Sequence, residues 1–268
     1  MRKHTGWAIV SALVAASACV EDYGPLELHP DVVWLEILLV AGESEARMLA
    51  IHPHREPEDD APEVDARLRG PGWESAFSET LELQACTDDY VDAAECLRAT
   101  LPEPVRAGAT YGLLGTAPLG SFTGEARVPD APLLLTDTLR LSWPEEGERL
   151  TIPLRYRAGP DIGDLSVDVR DIFETLEDGT EVELDSHYLS SGPGWLDPDS
   201  TAGTVRIYVR EKPLRFSLSL LGVGWNRTNM FTVDPVLQPW PGFGIEGDGV
   251  YGYFDGVTRS RAARVFVR

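Results

Sequence analysis

The side chains whose types and spacing suit chemistry are few, and most of them suggest metal binding or covalent anchoring rather than catalysis. His52-Pro53-His54 is followed by Glu56, Asp59 and Asp60. In extended backbone, positions 52 and 54 face the same side, so two imidazoles and a nearby carboxylate could meet a zinc ion or another divalent cation. The competing reading is a solvated loop that follows a strand. Asp197-Pro198-Asp199-Ser200-Thr201 sets oxygen side chains at alternate positions, as calcium loops do. Ala202 stands where such a loop needs its glycine and no Glu occupies the twelfth position, which favours a turn. Asp248 and Asp255, in a glycine-rich stretch, also read as turn residues. The chain contains no Gly-x-Ser-x-Gly elbow, no His-Glu-x-x-His pair and no phosphate-cradling glycine loop, so no reaction is legible and a non-catalytic protein without a cofactor is expected.

The three cysteines divide into one and two. Arg2 and Lys3 form a charged start, Trp7 to Ala16 form a short apolar run, and Ala16-Ser17-Ala18 leads into Cys19. The run is too short to span a hydrocarbon layer of roughly 30 Å and has the form of a cleaved signal peptide. A cysteine directly after the small-residue box resembles the bacterial lipobox, in which the thiol is diacylglycerated and the freed amine acylated. The alternative is an ordinary secretory cut that leaves Cys19 free. Cys86 and Cys96 lie close together in an exported chain and are expected to pair, leaving Cys19 as the odd thiol that lipidation would consume. Each buried acyl CH₂ contributes about 0.8 kcal/mol, so two or three chains anchor durably.

Charge bounds the partners. The formal net charge is −21, from 44 acidic and 23 basic residues, and removing Arg2 and Lys3 with the signal takes it to −23. A chain this acidic is unsuited as a whole to nucleic acid or to anionic lipid surfaces, and it gains solubility and an affinity for divalent cations.

The elements that must position these groups read as strands. Residues 1–18 are the signal and 19–30 a tether. Val32 to Val40 and Glu43 to Ile51 are expected to form a hairpin around Gly42, followed by the polar loop His52 to Pro62. Further strands are expected at Val64–Leu68, Ala76–Phe77, Thr80–Leu83 and Thr110–Leu114, with a helical turn or two in the insert Thr87–Glu95 stapled by Cys86 and Cys96. Val128-Pro129-Asp130-Ala131-Pro132 breaks both helix and strand and marks a boundary. Beyond it, Leu139–Trp143, Arg149–Tyr156, Leu165–Val169, Thr204–Val209 and Arg215–Leu220 alternate with period two, and Asp171–Leu176 suggests a short helix. The fold class is all-β: two Ig-like or fibronectin-like sandwiches in series, spanning 31–130 and 133–268.

The C-terminal aromatic stretch is the best surface candidate. Trp240, Phe243, Tyr251 and Tyr253 sit among glycines, and their rings could contact a sugar, a peptide or a protein. Alternatively, Tyr251 and Tyr253 share one side of a closing strand whose glycines permit close backbone approach. Trp195 is a loop candidate on the same grounds.

A family resemblance emerges from the pattern as a whole. The lipobox at Cys19, the strand pair from Val32 to Ile51, Pro62 to Leu68, Pro104 to Tyr111, Gly124 to Pro129 and Gly244 to Phe254 together resemble bacterial lipoproteins of the domain-of-unknown-function 4249 family. That resemblance implies an outer-membrane lipoprotein associated with a TonB-dependent receptor, and no catalytic residues. Val20, where an Asp would resemble an inner-membrane retention signal, favours the outer membrane. The other expectations are a carbohydrate- or cation-binding surface module, or a structural envelope protein.

Overall fold

The computed structural model describes residues 31–53, 60–87, 93–143, 149–184, 195–207, 214–226 and 243–268. Regular structure there is almost entirely strand: eighteen strands and one 3-10 turn, Leu83–Ala85. The all-β expectation holds, and its physical basis is alternation. β1 (Val33–Val40) buries Val33, Leu35, Ile37 and Leu39 and turns Trp34, Glu36, Leu38 and Val40 the other way. β11 (Leu150–Arg157) buries every second residue from Leu150 to Tyr156. Each fully buried aliphatic or aromatic side chain contributes about 1.5–3 kcal/mol.

Two cores result, each between two sheets. The first lies under β1, β2 (Glu45–Ile51) and β6 (Ala94–Thr100) on one side. On the other are β3 (Asp65–Gly70), β4 (Trp73–Ala76), β7 (Thr110–Ala117), β8 (Gly120–Arg127) and β16 (Ile245–Gly247). The expected hairpin is present, with Trp34 opposite Ile51 and Ile37 opposite Met48. β5 (Glu79–Leu81) edges this part of the sheet against β6. In the second core, a small sheet of order β14–β11–β9, with β9 at Leu133–Leu134 and β14 at Ala202–Ile207, faces β10 (Thr138–Leu141), β18 (Ala263–Val267), β15 (Leu214–Val223) and β12 (Asp164–Thr175), with β13 (Glu181–Leu184) at the edge. This three-against-several arrangement is the Ig-like sandwich pattern.

The serial division into 31–130 and 133–268 needs correction. β17 (Val250–Arg259) lies parallel to β1 from Val33↔Val250 to Val40↔Val257, and Ile245, Val250 and Phe254 belong to the first core. β17 then pairs through Val257 to Arg259 with β15 of the second sandwich, so one ten-stranded sheet runs through both. The chain therefore leaves the first sandwich after β8, builds most of the second, returns for β16 and β17, and departs again for β18. The boundary near Pro129 is a crossing point and not the end of the first unit.

The close approach of β17 to β1 depends on Gly252. Its φ is +116°, and a Cβ there would lie 1.8 Å from the Leu35 carbonyl oxygen, so only glycine fits. The short helix expected at 171–176 is instead strand. Asp171, at φ 50°, sits in a register shift between Arg170 and Phe173, beyond which Ile172 is buried opposite Leu184. A bulge of this kind interrupts the two-residue period and imitates a helical pattern in sequence.

Candidate functional site

The outward face of the ten-stranded sheet, where the two sandwiches share β17, carries a groove of about 490 Å³. Its floor follows from strand alternation: Leu38 and Val40 project outward because Ile37 and Leu39 project inward, and Leu221, Val223 and Val257 come from β15 and β17. Val40 is 39% exposed.

The walls are charged and internally compensated. On the first-sandwich side, Arg47 donates to Glu45, and Arg98 donates to Glu79 and lies 3.4 Å from Glu45. The hydrogen bond from Arg47 is the main reason the Glu45 carboxyl titrates below its usual range. Arg98 has the same effect on Glu79, and Glu79 in turn raises Arg98. On the second-sandwich side, Asp168 receives Arg170 at 2.7 Å and Arg259 at 3.2 Å. Ser166 and Thr258 supply hydroxyls, and among the described residues neither His nor Cys lines the groove. An apolar floor between charge-compensated polar walls can hold an extended segment that presents apolar side chains to the floor.

Farther along the same face lie three of the four aromatic residues expected as a contact surface, Phe243, Tyr251 and Tyr253. Tyr251 lies beside Trp34 and Tyr253 beside Glu36 in the parallel ladder. The Glu36 carboxylate accepts from the Trp34 indole at 2.9 Å and from the Tyr253 hydroxyl at 3.3 Å. Phe243 joins by backbone, its N–H donating to the Gly252 carbonyl at 2.9 Å. Tyr253 is only 7% exposed, which fits the closing-strand reading, while Tyr251 is partly exposed. Trp240 lies outside the described residues, and Trp195 is 56% exposed.

The described residues considered as metal ligands, His52, Asp197 and Asp199, do not converge. His52 is 5% exposed, with Nδ1 3.2 Å from the Val32 carbonyl oxygen, so its ring is buried beside the start of β1 and not presented from a solvated loop. His54 lies outside the described residues. The Asp197 carboxylate accepts the Asp199 N–H at 2.9 Å, and its carbonyl accepts the Ser200 N–H and the Tyr156 hydroxyl. These bonds close a turn over the buried Tyr156 ring, whose hydroxyl burial pushes above its usual titration range. Among the described residues, no three His, Cys, Asp or Glu side chains gather as a metal site.

Cys86 and Cys96 form a disulfide with Cα atoms 5.8 Å apart. It pins the 3-10 turn to β6 and brings the Ala85 carbonyl within 2.8 Å of Arg47, so the pair supports one wall of the groove. Cys19, the signal 1–18 and the tether 19–30 lie outside the described residues, and no described helix is long and apolar enough to cross a membrane. Sequence reasoning missed the groove because its partners are remote: Arg98 and Glu45 are 53 positions apart, and Arg259 on β17 reaches Asp168 on β12 across the intervening strand β15. The legible signal was local only, in the alternation that turned Leu38 and Leu221 outward.

No family model matches the chain, and no curated protein does. Solved structures similar to it include the N-terminal Ig1-2 module of the Drosophila receptor protein tyrosine phosphatase DLAR, at 14% identity and TM-score 0.29, covering 90% of this chain and 100% of that one. The chicken CNTN1 FN1-FN3 domains match at 9% identity and TM-score 0.29, covering 89% of this chain and 68% of that one. A pullulanase from Anoxybacillus matches at 12% identity and TM-score 0.22; 69% of this chain is covered, and the chain spans about a quarter (24%) of that enzyme. At these scores the likenesses carry no functional argument.

Proposed function

We propose that this chain is a cell-envelope lipoprotein, anchored in the outer membrane through acylated Cys19, whose β ectodomain is a non-catalytic binding module. The groove along the shared strand β17 supports the binding reading, because it combines an apolar floor with arginines on both walls. The lipobox-like Ala16-Ser17-Ala18-Cys19 supports the anchor. A TonB-dependent receptor as partner rests on the resemblance to the domain-of-unknown-function 4249 lipoproteins. The occupant best suited to the groove is an extended protein segment with apolar side chains.

The test is intact mass and fractionation of the native protein beside Cys19→Ala, followed by detergent extraction and identification of co-purifying protein. A mass raised by diacylglycerol and acyl groups, with membrane association lost in Cys19→Ala and a receptor recovered with the wild type, supports the reading. An unmodified, soluble protein removes the anchor. Recovery of the receptor undiminished in Leu221→Arg, which fills the groove floor, removes the groove as its seat. A carbohydrate-binding role is the second reading, favoured by the exposed rings of Trp195 and Trp225, 56% and 53% exposed; binding on a glycan array that disappears in Trp195→Ala would establish it.

A further inference from the structure

The outward face of the small sheet β14–β11–β9 differs from the rest of this acidic molecule. Along β11 the outward positions are Thr151, Pro153, Arg155 and Arg157; along β14 they are Ala202, Thr204 and Arg206. Register places Arg206 opposite Thr151, Arg155 opposite Ala202 and Arg157 opposite Leu133. Three arginines therefore share one face on which the strands present no carboxylate, in a chain with 44 acidic and 23 basic residues. Among the described residues, none of the three forms an ion pair. Several other outward arginines are neutralised, as Arg170 and Arg259 are by Asp168 and Arg215 by Glu181, whereas Arg140 and Arg264 on the opposite sheet are exposed without an ion pair among the described residues but have no bare leucines beside them.

Beside these arginines, the edge strand exposes two large apolar side chains. Leu133 is 50% and Leu135 49% exposed, while Leu134 between them is buried in the core. The Leu135 N–H donates to the Arg155 carbonyl at 2.8 Å, so leucines and guanidinium groups lie side by side. Net charge does not forbid an anionic ligand here, because at physiological ionic strength charges separated by more than about 8 Å are largely screened.

We propose that this face docks onto an anionic phospholipid surface. Guanidinium groups match phosphate oxygens bidentately, and exposed leucines next to them suit the boundary between headgroups and acyl chains. An acidic protein partner would account for the arginines but gives no reason for the two bare leucines. The inference rests on the lipid-anchor reading for its setting. The tether of residues 19–30 could reach at most about 43 Å when fully extended, which keeps the ectodomain within range of the bilayer surface.

The test uses the full mature chain with Cys19→Ser, so that an acyl anchor plays no part and the two readings can fail separately. Co-sedimentation is measured with vesicles of phosphatidylcholine alone and of phosphatidylcholine with phosphatidylglycerol. Binding to the anionic vesicles only is expected, falling as salt is raised, and dropping at least about 100-fold in Arg155→Glu/Arg157→Glu/Arg206→Glu, on a scale of about fivefold per basic residue near an anionic surface. Leu133→Ser/Leu135→Ser should weaken it as well. Arg264→Glu, on the opposite sheet, is the charge control and should retain more of the binding than any one reversal on the face. Equal binding to both vesicle types, no binding by the wild type, or undiminished binding by the triple variant with an unchanged melting curve overturns the proposal. Binding to a soluble acidic polypeptide that is lost in the triple variant, with no binding to vesicles, overturns it in favour of an acidic protein partner. Intact mass of the native protein decides the Cys19 anchor independently.

Discussion

The first sandwich is closed by a strand from the far end of the chain, over an eight-residue parallel ladder between β1 and β17, and is stapled by Cys86–Cys96. The second is closed by a shorter parallel ladder, four pairs between β10 and β18, and no disulfide joins its described strands. The charge distribution differs as well. Residues 31–130 hold 20 acidic and 7 basic side chains, and residues 133–268 hold 21 and 14. The first unit is thus the more acidic and the more heavily cross-linked, while the second carries the unpaired arginine face. Because β17 belongs to both, neither sandwich can be removed from the other as a unit, and a single cooperative unfolding transition is expected.

The largest test of this comparison is truncation. A chain ending at residue 242 lacks Ile245, Val250 and Phe254 of the first core, and should fail to give a cooperative transition by circular dichroism even though every residue of 31–130 is present. Cooperative folding of 31–130 alone would make the serial arrangement right after all. Next comes Gly252→Val, which sets a side chain against the Leu35 backbone at a positive φ and should cost about 4 kcal/mol or more in urea denaturation. Its counterpart in the second core, Phe216→Ala, should cost about 3–5 kcal/mol and shift the same single transition. Two separated transitions in either variant would show that the shared strand does not couple the cores.

Cys86→Ala/Cys96→Ala should lower stability by about 2–3 kcal/mol, the value expected for a loop of ten residues. Reduction of the wild type should have a comparable effect. The smallest effect is in acid. Glu45, Glu74 and Glu79 in the first sandwich and Glu181 in the second all titrate below the ordinary 4.5 because arginines donate to them. A depressed folded-state value means that their stabilisation is complete above about pH 4.5 and disappears as pH falls through the lowered values. Arg98→Met, which faces two of the four, should flatten that acid limb more than Arg215→Met, read from melting temperature against pH. These side chains are exposed enough for solvent to screen them, so equal flattening would mean that the first sandwich draws no extra support from its ion pairs.

Much of the architecture was legible in sequence because alternation is a local signal. Val33 to Val40, Leu150 to Arg157 and Leu214 to Leu220 report their inward faces directly, and the spacing of Cys86 and Cys96 anticipated their bond. What stayed hidden depended on pairing between remote segments. Nothing in Val250–Arg259 announces β1 as its neighbour, although the alternation of glycine with Tyr251 and Tyr253 did suggest a strand that another backbone approaches closely. The bulge at Asp171 misled in the opposite direction, by breaking the two-residue period where the strand continues. His52 looked like a candidate ligand because exposure cannot be read from a loop's polarity, and its ring is buried against the Val32 carbonyl at the start of β1. The groove and the arginine face were invisible for the same reason as the β1–β17 ladder: each is assembled from strands whose adjacency only the fold decides.

The late position of β17 also has a consequence in time. Glu36 and Tyr253, which are paired in the β1–β17 ladder, are 217 residues apart, so the opening strand has no partner on that side until nearly the whole polypeptide has emerged. At a synthesis rate of about 5–20 residues per second, that interval is about 10–40 s. During it, Val33, Leu35, Ile37 and Leu39 can form a hairpin with β2 but cannot bury their second edge. A nascent chain built in this order stays loosely folded until its last strands arrive, and is therefore threadable through a narrow pore for most of its synthesis.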